Sequence, residues 1–139
     1  MMNKFPVKRL LYVFITGQLL TSSAYADSQV VVICNPALSN ISKEQIADIF
    51  LGKSTALKPL DQPNSAPVKA IFYQKVSGHD LSQIKATWSR LVFTGKAQPP
   101  KELPDATAVK KAVAADPKAI GYIDKSEVDS SVKVVLTLD

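Results

Sequence analysis

The chain has 139 residues, with 17 Lys/Arg against 12 Asp/Glu and a formal net charge of +5. That length accommodates one small domain with its own core, not two. The lone cysteine, Cys34, excludes an internal disulfide framework, and no Lys/Arg block with interleaved aromatics offers a nucleic-acid surface.

In chain order, Lys4, Lys8 and Arg9 precede an apolar run from Leu10 to Leu20 that closes on Ala24-Tyr25-Ala26. Basic start, apolar run and small-x-small ending together predict a cleavable signal peptide over 1–26. The apolar run is about half the roughly 20 residues a membrane span needs. The expectation is therefore a periplasmic protein of residues 27–139, one domain, with no membrane span after cleavage. Three basic residues leave with the signal, so the exported chain is close to charge balance.

Val30 to Cys34 is continuous and β-branched, as in a strand covered on both faces, and Cys34 reads as a buried packing thiol. Asn35-Pro36 breaks it. Ser42 and Gln45 form a capping-box pattern ahead of Ile46, Ile49 and Phe50, and Gly52 is placed to end that helix. Lys58 to Asp61 is a short strand, followed by the turn-rich Asp61 to Ser65. A second helix carries Val68, Ile71, Phe72 and Val76 and stops at Gly78. Asp80 and Gln83 open a third, with the apolar stripe Leu81, Ile84, Trp88, Leu91 and Val92. Thr94 to Pro104 is a proline-braced loop. Asp105 caps a fourth helix, and 120–123 and 132–138 read as the last strands. Alternating strands and one-faced helices predict an α/β domain, with helices packed on a small, mostly parallel sheet.

Nothing in the chain assembles catalytic chemistry. His79 is the one histidine and sits beside Gly78 at a helix junction, where a loop or capping role is the simpler reading. Acidic residues are scattered singly, and no phosphate loop, dinucleotide fingerprint or nucleophile elbow occurs. No enzyme activity, cofactor or metal is expected.

Three places could hold a small anion. Asn64 and Ser65 stand before the second helix, whose first turn offers backbone N–H groups and a partial positive charge; they serve equally well as simple caps. Thr94, with Gly95 and Lys96, reads as an anion contact or as an ordinary helix end. Asn35 and Ser39 lie just past the first strand, where open α/β sheets bind ligands, and turn formation explains them as well.

Three strings carry a resemblance: ISKEQIADIFLGK (41–53), TWSRLVFTGKAQPP (87–100) and AIGYID (119–124). In that order they resemble the substrate-binding proteins of phosphate ABC transporters, and more closely their short, single-lobe relatives. The resemblance implies a single lobe of a type II periplasmic-binding-protein-like fold. It also implies a link to phosphate uptake, with inorganic phosphate or a similar small anion bound weakly. Full-length members clasp the anion between two lobes and resemble Arg-Ser-Asp-Gly-Ser-Gly-Thr before the second helix. The matching stretch here is Asp61 to Pro67, which keeps Ser65 and has no arginine counterpart. The alternative is an envelope protein–protein interaction module that has lost ligand binding, its partner another protein or a second copy of the chain, with Gln98 to Pro104 as contact surface.

Overall fold

The computed structural model describes residues 29–139. The signal-peptide expectation and its cleavage site lie outside the described residues. The elements are β1 (Val30–Cys34), α1 (Lys43–Phe50), β2 (Lys58–Asp61), α2 (Pro67–Ser77), α3 (Leu81–Phe93), β3 (Lys101–Glu102), α4 (Ala106–Ala115), β4 (Ala119–Asp124) and β5 (Lys133–Leu138). They form one sheet in the order β3-β2-β4-β1-β5. β2 pairs parallel with β3 and β4, while β1 is antiparallel to β4 and β5. The sheet is thus mostly parallel, with β1 alone reversed.

Period-two alternation sends residues of each strand to opposite layers. Val30 and Val32 of β1, with Ile120 and Tyr122 of β4, pack beneath α1, α2 and α3. Val31, Ile33 and Ile123 face the other way onto Val109 and Val113 of α4. Both sides of β1 are therefore covered, and its fully buried VVVIC sequence follows from that. Cys34 shares this burial, which pushes its thiol upward while Lys133 acts in the opposite sense.

Local chemistry starts and stops the helices. Ser42 and Gln45 make a reciprocal capping box on α1, Asp80 and Gln83 make another on α3, and Asp105 caps α4. Two glycines are there for close approach. A Cβ at Gly121 would stand 2.5 Å from Val109 Cγ1, so glycine is what lets α4 lie against β4. At Gly52 (φ 78°) it would meet Leu91 and Trp88 at 2.8 and 2.9 Å, where α1 turns beneath α3.

Three local expectations are corrected. The N-cap of α2 is Ala66, without a side-chain bond, so neither Asn64 nor Ser65 caps it; Pro67, with no N–H to satisfy, occupies the first turn instead. The proline loop contains a short strand, β3, because Leu60 and Asp61 of β2 offer a free edge to Lys101 and Glu102. Val92 leaves the apolar stripe of α3: it is 50% exposed, since the last turn runs past the neighbouring helices.

Candidate functional site

At the carboxyl end of β2 a polar network sits inside the core. Asp61 is buried, and each of its oxygens is engaged. Oδ2 accepts from Tyr73 Oη (2.7 Å) and lies 3.8 Å from Lys69 Nζ. Oδ1 accepts from Tyr122 Oη and from the Gln62 N–H (2.9 Å). Gln62 Nε2 in turn donates to the Tyr122 carbonyl (2.7 Å). Burial, then the Asp61 charge and its hydrogen bonds, push both tyrosine hydroxyls far above their ordinary value. An aromatic cluster packs around them, with the Phe72 and Tyr122 rings stacked at 4.1 Å. The Asp61 carboxylate thus accepts from three donors, with the Lys69 ammonium as its counter-charge.

Beside this network a hollow of about 280 Å³ opens between α2, α3 and β3. Asp61, Asn64, Lys69, Lys85 and Glu102 supply its polar wall, and Ile84 and Trp88 its apolar floor. Lys69 is the unusual member. Its side chain is only 10% exposed, yet its ammonium has no hydrogen-bond acceptor among the described residues, the nearest opposite charge being Asp61. The Lys69 stem is buried while its ammonium reaches the hollow, where water or an anion can accept from it. Trp88 is fixed as a wall by its Nε1–H, which donates to the Phe50 carbonyl at 3.1 Å.

The residues selected from the sequence do not gather in one place. Asn64 lines the hollow; Ser65 is exposed in the same turn. The first turn of α2 offers fewer amides than its position implies, because Pro67 has none and that of Lys69 bonds to the Ala66 carbonyl at 3.1 Å. Asn35 and Ser39 lie at the opposite end of the sheet: β1 runs against the other strands, so its carboxyl end meets the start of β4 through Cys34↔Ile120. There the Asn35 amide ties down the end of α4, donating to the Val113 and Ala114 carbonyls (3.3 and 3.1 Å). Thr94 closes α3, its hydroxyl directed at the Arg90 and Leu91 carbonyls. Lys85 and Glu102 were not singled out, since in sequence they are ordinary exposed charges on a helix and a loop. Among the described residues no three His, Cys, Asp or Glu side chains converge as a metal would need, and no helix is long and apolar enough to cross a membrane.

No family model and no curated protein matches the chain. Solved structures share its fold. An ABC-type phosphate transport receptor from Vibrio cholerae superposes with a TM-score of 0.60 at 17% identity, over 78% of this chain and 45% of the receptor. A Clostridium perfringens substrate-binding protein assigned to phosphate ABC transport, solved with phosphate bound, gives 0.62 at 20% identity, over 78% and 44%. PstS from Borrelia burgdorferi gives 0.55 at 16%, over 78% and 46%. This chain spans less than half the length of each. It therefore has the fold of phosphate transport receptors of the periplasmic-binding-protein class, in a single-lobe portion.

Proposed function

We propose that the chain is an exported binding-protein lobe that takes a small oxyanion of the phosphate class, weakly, in the hollow at the start of α2, and that it serves phosphate uptake. The observation that carries this reading is the Lys69 ammonium in the hollow, paired with Asp61 at 3.8 Å but hydrogen-bonded to none of the described residues, and flanked by the Asn64 amide and the Lys85 charge. Ammonium groups and a side-chain amide around one small cavity can replace several waters of a tetrahedral oxyanion. Affinity is low for three reasons. Asp61 already shares the Lys69 charge, Glu102 stands on the rim, and the hollow is open where a closing lobe would exclude water. Of the sequence-selected residues, Asn64 lines the hollow with Ser65 exposed in the same turn, while Asn35 and Thr94 bond to helix-end carbonyls.

Amide-resolved NMR titration with inorganic phosphate should give saturable shifts at Asn64, Val68 and Lys85, with a dissociation constant on the order of 1 mM. Lys69→Gln should weaken this about tenfold or more. Because Lys69 also balances Asp61, the exposed Lys85→Gln is the companion variant, folded as wild type and several-fold weaker. Shifts that stay linear into tens of millimolar, or that survive both substitutions, remove the anion reading.

A second reading, a protein-contact module, has its own observation. Under the proline segment runs an apolar groove of about 620 Å³, lined by Leu57, Pro59, Leu60, Trp88, Pro99 and Pro100. Affinity capture with the exported chain should then retain a stoichiometric envelope protein, or a second copy, that Pro99→Glu releases. Retention indifferent to that substitution counts against it.

A further inference from the structure

The carboxyl end of α3 is an apolar tip that no described residue covers. Phe93 is 92% exposed and Val92 50%, just before Gly95 turns the chain at φ 69°. Basic residues predominate around this tip, with Glu102 the acidic neighbour next to Lys101. From Leu81 through Lys101 the chain carries Lys85, Arg90, Lys96 and Lys101 and no acidic residue. All four are exposed, and among the described residues none forms an ion pair, whereas Lys58, Lys69 and Lys110 do. Lys85, Ser89, Val92, Phe93 and Pro99 line one shallow face. Arg90 stands one helical turn before Phe93, and Lys101 continues the rim next to Pro99 and Pro100.

We propose that this tip docks the protein on an anionic lipid surface. Phe93 and Val92 enter the boundary between headgroups and acyl chains, and the four basic residues meet lipid phosphates. Two features choose a lipid surface over a protein. The strongly exposed apolar side chains here are Val92 and Phe93 at one helix end, whereas a stable protein interface needs a broad, complementary patch. A bilayer yields around a single aromatic wedge and adds electrostatic attraction for each nearby basic residue. The chain would lie on the membrane, not cross it. The tip face shares Lys85, Trp88 and Pro99 with the wall of the anion hollow, so the charge variant used as a test leaves Lys85 in place.

The test uses the chain from Asp27, which contains every described strand and helix and leaves out the apolar Leu10–Leu20 run that would itself enter lipid. Co-sedimentation compares vesicles of phosphatidylcholine alone with vesicles in which about one-third is phosphatidylglycerol. Trp88, the one tryptophan of the chain, borders the same face and reports binding by fluorescence. Binding should require the anionic lipid and fall about tenfold or more between low and high salt. Phe93→Ser should weaken it about tenfold, and the combined Arg90→Gln, Lys96→Gln and Lys101→Gln variant should weaken it at least as much, both with unchanged circular dichroism and melting. Absence of binding to anionic vesicles, or binding that both variants retain, overturns the proposal. So does a Phe93-dependent dimer or protein complex formed without any lipid affinity.

Discussion

Raised above about pH 10, the protein unfolds before its two core tyrosines ionise as free phenols would. Tyr73 and Tyr122 are fully buried, and both donate to Asp61, so a phenolate at either place would face a carboxylate in a water-poor interior. Their folded values therefore lie above the unfolded one. The contribution of such groups is complete below the unfolded value and is lost as pH climbs above it. Two phenols held protonated remove about 2.7 kcal/mol per pH unit above 10, hence about 5 kcal/mol by pH 12. That is comparable to the whole stability of a small domain. In the chain from Asp27 these are the only tyrosines, so phenolate absorbance should stay flat and then rise together with loss of far-ultraviolet circular dichroism. A phenolate signal with a midpoint near 10 and an intact dichroism spectrum would contradict the network.

Asp61→Ala should destabilise the fold by about 3–5 kcal/mol, the size expected when one member of a buried ion pair is removed. The substitution leaves Lys69 charged and buried and deprives two tyrosine hydroxyls of their acceptor. The double variant Asp61→Ala/Lys69→Met should recover part of the loss, because the orphaned charge goes with the lysine, while the hydroxyls stay unsatisfied. Urea unfolding of the four proteins in the cycle measures this. A single-variant loss below about 1 kcal/mol, as for an exposed pair, would mean that water reaches Asp61 and the network is not closed.

The elements themselves were legible because their signals are local. The Ser42/Gln45 and Asp80/Gln83 boxes, the glycines after α1 and α2, and the β-branched run at Val30 each act within a few residues. The exceptions follow from contacts across the fold. β3 exists because β2 offers an edge, a fact no property of Lys101-Glu102 announces. Val92 has the same periodicity as Leu91, and only the end of packing on α3 exposes it.

For the site, the reversal of β1 was decisive. Asn35 and Ser39 were chosen because ligands gather past the carboxyl ends of parallel strands; an antiparallel β1 carries them to the far end of the sheet. Strand direction is a pairing property, set by hydrogen bonds to β4 and β5, and leaves no trace in the composition of VVVIC. The chain by itself determined which residues form helices and strands, which way each helix turns its apolar face, and the likeness to a phosphate-receptor lobe. Only the tertiary structure decided that Asp61 is buried among two tyrosine hydroxyls, that Lys69 pairs with it at the hollow, and that Lys85 and Glu102 arrive beside it. Capping and periodicity are short-range energies written in neighbouring residues, whereas burial of a charge depends on what distant segments bring to cover it.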